Sequence, residues 1–153
     1  MLQNLTNAIG SANATDYRRC FSDSTQGLPP FTFIASAQGL SAAPTKLRNW
    51  GIDQEDQYIR NIFAELSPGS APSVVFTPSD VKGVPIGDSI VYTGSYSVHF
   101  PHTRVGAEKD AEGSLEFTLR LSTQNEWYIS TWRDITVENK TSWSLIKARF
   151  IDK

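Results

Sequence analysis

The stretch SLEFTLRLSTQNEWYISTWRDI, from Ser114 to Ile135, decides the fold of this chain. In its first half every second residue from Leu115 to Leu121 is apolar, which is the period of a strand with one buried face. A polar run, STQN, then supplies turn residues before a second strand-like half that begins at Trp127. The pattern predicts a long antiparallel hairpin at the centre of a sheet.

The alternation also assigns the two faces of this hairpin. In the first half the buried face carries four apolar residues: Leu115, Phe117, Leu119 and Leu121. In the second half an unbroken alternation places four residues on the same face: Trp127, Ile129, Thr131 and Arg133. Trp132 would then point outward. A bulge near Ser130 would exchange the faces beyond it, because one extra residue shifts a period of two.

Four other stretches have the composition of strands: Phe31–Ile34, Ser73–Thr77, Ser89–Phe100 and Ser142–Ile151. The first of them follows two prolines, which favours a position at the edge of the sheet. Gln38–Asn49 is rich in Ala, Ser and Gly, and we therefore predict a loop there.

Helical patterns precede most of these strands. Met1–Asp23 is helical in character, with a second short helix that Thr15 or Asp16 can cap. The clearest helix runs from Asp53, a suitable N-cap, to Leu66. Its apolar residues recur at helical spacing: Tyr58, Ile59, Ile62, Phe63 and Leu66. Helices followed by a run of antiparallel strands predict an α+β fold, with the helices on one face of a curved sheet.

The composition suits a single globular domain that spans residues 1–153. Charged residues make up 20% of the chain and hydrophobic residues 39%. The formal net charge of -2 shows no basic excess, so we expect no nucleic-acid partner. No apolar run reaches the length of about 18 residues that suggests a membrane span. Because Cys20 is the one cysteine, a disulfide within the chain is excluded.

The segment after Met1 is polar and lacks the charged and apolar regions of a signal peptide. Two locations remain open: the cytoplasm, or the cell envelope, periplasm or exterior if a leader was removed and replaced by a start methionine. A lone thiol does not decide between them. The sequence contains no dinucleotide fingerprint and no phosphate-cradling glycine loop, so we expect no cofactor.

The order of these elements, together with two motifs, resembles a known family. The motifs are Gly113–Leu121 (GSLEFTLRL) and Glu126–Asp134 (EWYISTWRD), and Leu5–Asp23 is similar to the family's first helix pair. Together they resemble the NTF2-like superfamily, also called the cystatin-like or cone-shaped α+β fold. Thr141–Lys147 resembles the final strand of an uncharacterised bacterial group in that superfamily, many of whose members are envelope-associated.

The resemblance implies a cone in which N-terminal helices pack on the concave face of a curved, mainly antiparallel sheet. It also implies a pocket between those helices and the concave face. The superfamily includes isomerases, dehydratases, binding proteins and dimerisation modules. The fold alone therefore does not decide the function.

Six polar residues should line this pocket and are the candidate ligand-binding residues: Tyr17, Tyr58, Tyr92, Tyr96, Thr131 and Arg133. An arginine flanked by tyrosines on the concave face suits a carboxylate or another anion. The apolar residues around it suit a small apolar ligand. The alternative for Arg133 is a place at the rim, where its guanidinium would extend into water or pair with Glu126 or Asp134.

The predicted concave face carries no Asp, Glu or His in the middle of its strands, so we assign no catalytic residue. Proton abstraction beside a carbonyl needs such a base within hydrogen-bond reach of the substrate. Asp88 shares the phase but lies at the end of a strand. His99 has the opposite phase and His102 follows in a loop, and two histidines without suitable partners do not predict a metal site.

We therefore predict a non-catalytic domain that binds a small ligand or a protein partner. Two alternatives remain open. The first is an isomerase or dehydratase that uses a pocket tyrosine with Asp88 or a helix carboxylate. The second is a pure dimerisation module without a ligand.

The outer face of the sheet predicts a homodimer. Its alternation places four large side chains there: Tyr128, Trp132, Trp143 and Leu145. Contiguous exposed aromatic residues mark interaction surfaces, and one patch present on both copies suits a twofold dimer. In the alternative, the tail near Lys140 or the loop Pro101–Gly113 covers these rings within one chain.

Overall fold

A computed structural model describes residues 1–80 and 87–153 of the chain. Within those residues the α-helices are α1 (Leu2–Gly10), α2 (Ala14–Arg19), α3 (Ala37–Ala42), α4 (Pro44–Leu47), α5 (Ile52–Ala64) and α6 (Trp143–Phe150), and a short 3-10 helix spans Ser24–Gln26. The strands are β1 (Thr32–Ile34), β2 (Ser73–Asp80), β3 (Ser89–His99), β4 (Asp110–Leu121) and β5 (Trp127–Thr136). No helix of the described residues combines the length and the apolar character that crossing a membrane requires.

The strands form one open sheet in the order β1-β5-β4-β3-β2. β4 lies at the centre and pairs antiparallel with β5, from Gly113 opposite Thr136 to Leu121 opposite Trp127. β1 is a short edge strand and runs parallel to β5. The predicted central hairpin, the edge position of β1 and the α+β fold class are all confirmed.

A β-bulge at Ser130 exchanges the faces of β5. Thr118 pairs with Thr131 while Leu119 pairs with Ile129, so Ser130 is the extra residue in the ladder. Its hydroxyl donates to the Thr118 carbonyl oxygen at 3.1 Å, which holds the bulge in place. Beyond the bulge the buried residues are Trp132 and Asp134.

The bulge overturns the unbroken alternation of β5. Thr131 and Arg133 lie on the outer face of the sheet, and the prediction that they line the concave face is wrong. The open alternative of a phase change near Ser130 is the correct one. In β3 and β4 the predicted inward face is confirmed, since Tyr96 and Phe117 are buried there.

The prediction of a strand over Ser142–Ile151 is wrong, because these residues form α6. The resemblance of Thr141–Lys147 to a final strand is wrong for the same reason. Four side chains follow the i, i+3, i+4, i+7 spacing of one helical face: Trp143, Ile146, Lys147 and Phe150. All four are fully buried, and α6 packs against α3, α5 and β4.

Three smaller predictions about helices also need correction. Gln38–Asn49 is not a loop throughout, because it contains most of α3 and all of α4. The cap of α2 is Asn13, whose side-chain oxygen accepts from the Asp16 backbone N–H at 3.0 Å. The N-cap of α5 is Gly51, so Asp53 lies within the first turn instead of before it.

Trp132 and Trp143 occupy the middle of the core. Their ring centroids lie 4.7 Å apart in an edge-to-face arrangement, and both side chains are completely buried. The rings of Phe33 and Phe117 contact Trp132 at 5.4 and 5.2 Å. The concave side of the sheet is therefore filled by side chains where the pocket was expected.

Candidate functional site

A buried ion pair joins α5 to α6. Glu55 and Lys147 are both completely buried, and the Lys147 ammonium lies 2.6 and 2.5 Å from the two oxygens of Glu55. Each oxygen accepts a further hydrogen bond, one from the Tyr17 hydroxyl at 2.6 Å and one from the Trp50 indole N–H at 2.7 Å. We call these four residues, together with Tyr58, the Glu55 cluster. Its carboxylate is neutralised and fully hydrogen-bonded.

The two tyrosines of the cluster form a directed chain of hydrogen bonds. The Trp143 indole N–H donates to the Tyr58 hydroxyl at 3.1 Å, and that oxygen lies 3.1 Å from the Tyr17 hydroxyl. Because Tyr17 donates to Glu55, Tyr58 must be the donor to Tyr17. Burial, aided by the negative charge of Glu55, holds the pKa of both tyrosines well above its usual value. Both hydroxyls are therefore neutral donors.

Four aromatic rings surround the Lys147 ammonium and form what we call the aromatic box. The nitrogen lies 3.8 Å from the ring centroid of Trp132, 3.9 Å from that of Phe33, and 4.9 and 5.6 Å from those of Tyr58 and Trp50. Burial lowers the pKa of Lys147 to about 8, although the charge of Glu55 acts in the opposite direction. The rings compensate part of the hydration that the ammonium has lost.

A second buried carboxylate fixes the start of α6. Asp134 accepts hydrogen bonds from the Tyr96 hydroxyl at 2.7 Å, the Ser144 backbone N–H at 2.7 Å and the Ser144 hydroxyl at 2.5 Å. Tyr96 in turn accepts from the Trp143 backbone N–H at 2.7 Å. Two of the N–H groups that a helix start leaves without helical partners are thus satisfied. Burial raises the pKa of Asp134, against the effect of these hydrogen bonds.

The predicted ligand residues separate into two groups. Tyr17, Tyr58 and Tyr96 lie inside the molecule and belong to the networks around Glu55 and Asp134. Tyr92 stacks on Phe117 at 6.2 Å, and its buried hydroxyl has no hydrogen-bond partner within residues 1–80 and 87–153. The binding of a ligand by these tyrosines stays a prediction.

Thr131 and Arg133 lie away from the four tyrosines. The Arg133 side chain is 50% exposed on the outer face, and its Nε atom is 3.9 Å from a carboxylate oxygen of Glu116. An arginine pointing to solvent cannot hold an anion inside the cone, so the reason for assigning it to the pocket is removed. The alternative of an arginine that extends into water agrees with this exposure, but its acidic neighbour is Glu116 and not Glu126 or Asp134.

The remaining sequence candidates are also accounted for. Asp88 is exposed just before β3. His99 lies near the surface with its Nδ1 atom 2.6 Å from Asp110, whereas His102 is buried with its Nε2 atom 2.9 Å from the Glu108 carbonyl oxygen. Among the residues that the structure describes, no three His, Cys, Asp or Glu side chains are grouped so that they could hold a metal ion.

Sequence reasoning missed the residues that carry the buried charges. Glu55 shares one face of α5 with Tyr58, Ile59 and Ile62, at i, i+3, i+4 and i+7. This position on the apolar face of the helix could have predicted from the sequence that Glu55 is buried. Lys147 gives a similar signal only when α6 is treated as a helix. A charged residue in phase with an apolar stripe indicates a paired buried charge.

The outer face of the sheet differs from the prediction. Trp132 and Trp143 are both inside, so the patch with two tryptophans predicted for a homodimer is wrong. Among the described residues, the exposed large apolar side chains on the outer face of the sheet are aliphatic and include Val75, Val91 and Ile135. A separate surface groove of about 730 Å³ runs between α1, α2 and the start of β5, and its lining includes Asn4, Asn7, Asp16, Arg19, Glu126 and Trp127.

Comparisons with known proteins show which solved structures share this fold. No protein-family model matches the chain, and no curated protein matches it. Among solved structures, an NTF2-like superfamily protein from Salmonella enterica superposes with a TM-score of 0.58 at 12% identity, covering 86% of this chain and 82% of the other. A proposed dehydratase of the NTF2-like family from Streptomyces avermitilis gives a TM-score of 0.57 at 12% identity, with 89% and 90% covered.

A ketosteroid isomerase-like protein from Erwinia carotovora atroseptica gives a TM-score of 0.55 at 11% identity, covering 90% of this chain and 91% of the other. These likenesses, with helices on the concave face of an open sheet, define the protein as an α+β cone. The chain has the NTF2-like, or cystatin-like, fold, as its sequence motifs predicted. Envelope association and a bacterial origin stay predictions.

Proposed function

We propose that this chain is a non-catalytic NTF2-like domain that binds a small ligand or a protein partner at its surface. The observation that carries the proposal is that the Glu55 carboxylate is buried and fully hydrogen-bonded. Both of its oxygens are occupied by Tyr17, Trp50 and Lys147, and its side chain is completely buried. A general base needs a free lone pair within reach of the substrate. The interior carboxylate therefore serves the fold.

The groove between α1, α2 and β5 is the binding surface that we favour. Its volume of about 730 Å³ lies in the range of small-molecule sites. It combines charged side chains such as Asp16 and Arg19 with the indole of Trp127, which suits a polar molecule with one flat or apolar side. A ligand inside the cone would instead have to displace Trp143 or Lys147 to reach Tyr17 or Tyr58. Tyr92 lines a different surface groove, between α1 and β2.

An NMR titration tests the proposal. Amino acids, dicarboxylates and monosaccharides are added to ¹⁵N-labelled protein, and amide shifts are followed at Asn7, Arg19 and Trp127. We expect shifts there and not at Tyr58 or Ile146. Trp127→Ala should abolish them, whereas the outer-face variant Thr118→Ala should not. Shifts confined to the interior, or unchanged binding in Trp127→Ala, would contradict the groove as the site.

The arrangement of Tyr17, Tyr58 and Glu55 supports a second candidate, an isomerase or dehydratase of the acid–base type. Neutral tyrosine donors beside a carboxylate are the groups that such a reaction uses. The candidate requires Lys147 to leave Glu55. Deuterium uptake from solvent by a ketone, measured with the original chain and Glu55→Gln, separates the two proposals. Equal background rates support the binding domain, and a faster rate that is lost in Glu55→Gln supports the enzyme.

Association of two copies through the outer face is a further part of the proposal. The exposed aliphatic side chains of Val75, Val91 and Ile135 support it, in place of the tryptophans. Sedimentation at micromolar concentration tests it with the variant Val91→Lys. A dimer that dissociates in this variant would support the interface, and a monomeric original chain would exclude it.

A further inference from the structure

The walls of the aromatic box come from β1, β5 and α5 with the segment before it, and none of them comes from α6. Phe33 lies on β1, Trp50 precedes α5, Tyr58 lies on α5 and Trp132 lies on β5. Glu55, also on α5, closes the box with its carboxylate. α6 contributes to the box only the ammonium at its centre. The site and its occupant therefore belong to separate elements of the chain.

These walls have the chemistry that recognises an ammonium group. A cation within about 6 Å of a ring centroid is attracted by the ring face, and the attraction increases when water is excluded. Here four rings meet that distance, two of them below 4 Å. The two Glu55 oxygens accept hydrogen bonds and supply the counter-charge.

The position of Lys147 is unusual for a structural lysine. Long lysine side chains normally cover apolar surface with their methylenes and keep the ammonium in water. In this protein the ammonium lies at a completely buried point, where six polar and aromatic contacts converge on it. A lysine that only packed its methylenes against the core would need none of these contacts, and a buried ion pair alone would need the carboxylate but not four rings around the nitrogen.

We propose that Phe33, Trp50, Glu55, Tyr58 and Trp132 form an ammonium-binding site, which Lys147 fills as a tethered ligand. The class of ligand that the site takes is a primary alkylammonium ion. This inference is independent of the surface groove and concerns a different part of the molecule. It assigns a recognition chemistry to the interior of the cone, where Glu55 and Lys147 are both completely buried.

The variant Lys147→Ala tests the site, because it removes the tethered ammonium and leaves the walls. We expect n-propylammonium to raise its melting temperature in a saturable way, by about 5–10 °C at a concentration one hundred times the Kd. Uncharged n-propanol, of nearly the same size, should give little or no shift. The original chain should respond to neither compound, because its own lysine fills the site.

Two further variants keep the test specific. Lys147→Met fills the space with an uncharged chain, so n-propylammonium should not stabilise it. In Glu55→Gln/Lys147→Ala the cavity remains but the counter-charge is lost, and the affinity for n-propylammonium should fall at least tenfold. If Lys147→Ala does not fold alone, recovery of its near-ultraviolet circular dichroism during refolding with either compound replaces the melting temperature as the measurement.

The results distinguish an ammonium-binding site from a plain apolar cavity. Stabilisation, or refolding, that requires the charge of the compound and the carboxylate of Glu55 supports the site. Equal effects of n-propanol and n-propylammonium would show a plain apolar cavity and overturn it. The absence of any effect on Lys147→Ala, folded or refolding, would overturn it as well.

Discussion

The hydroxyl of Tyr96 on β3 lies 2.7 Å from a carboxylate oxygen of Asp134 on β5, although β4 runs between the two strands. The ring of Tyr96 reaches across β4 at Gly113. A Cβ atom at Gly113 would lie 2.6 Å from the Tyr96 hydroxyl and 2.9 Å from the Ile135 carbonyl oxygen. A residue without a side chain is therefore required for this contact, which in turn fixes the start of α6.

The variant Gly113→Ala should lower the free energy of unfolding by roughly 1–3 kcal/mol, the usual cost of forcing a methyl group into a packed site. Removal of the hydroxyl in Tyr96→Phe should reduce that cost, because the shortest of the three clashes disappears while those with the Tyr96 Cζ atom and the Ile135 carbonyl oxygen, both at 2.9 Å, remain. Urea unfolding of both single variants and the double variant measures the coupling. Strict additivity would show that the ring does not cross β4 at Gly113.

Lys147→Met should destabilise the protein by about 3–5 kcal/mol, because it leaves the Glu55 carboxylate buried without its cation. The double variant Glu55→Gln/Lys147→Met should be more stable than this single variant, since it removes both charges and keeps the volume. Chemical denaturation with matched m-values provides the comparison. A double variant that is less stable than Lys147→Met would contradict the pairing seen here.

The burial of Lys147 also predicts a pH dependence, because it lowers the pKa of the ammonium more than the pairing with Glu55 raises it. Lys147 titrates at a pKa of about 8 in the folded protein, against an ordinary pKa of 10.5 for the unfolded chain. Between these pH values the unfolded chain binds more protons, so the stability contributed by this group rises with pH. It is fully present above pH 10.5 and is lost as the pH falls through about 8.

The measurement is the difference in unfolding free energy between the original chain and Glu55→Gln/Lys147→Met. This difference should shift in favour of the original chain from about pH 8 to about pH 10, where tyrosines begin to ionise in the unfolded chain. Above that pH the raised pKa values of Tyr17 and Tyr58 act with the opposite sign. A difference that decreases across the window would be inconsistent with the lowered pKa of Lys147.

Core truncations should rank by burial. Phe117→Ala and Trp132→Ala remove completely buried rings and should each cost about 3–5 kcal/mol. Trp127→Ala should cost less, because Trp127 is only partly buried, although its place in the alternation predicts full burial. Glu116→Ala, on the outer face, should change stability by about 0.5 kcal/mol or less. Thermal melts would refute the assignment if Trp127→Ala were the most damaging.

The sequence by itself determined the central hairpin, β2, β3 and α5, and through them the class of fold. Each of these elements carries a local pattern that repeats often enough to decide its type. The inward positions of Tyr92 and Tyr96 followed from the same alternation. The burial of Tyr58 followed from helical spacing.

Only the tertiary structure decided the bulge at Ser130, the helix α6 and the partners of Glu55. A bulge is one residue long and produces no repeating pattern in the sequence. It nevertheless places Trp132 on the inner face of the sheet and Arg133 on the outer face. The apolar residues of α6 fit a strand or a helix, and periodicity cannot separate the two over so short a run. Two carboxylates from other parts of the chain, Asp134 and Glu55, hold α6 in place as a helix. The sequence of α6 alone therefore cannot indicate these contacts.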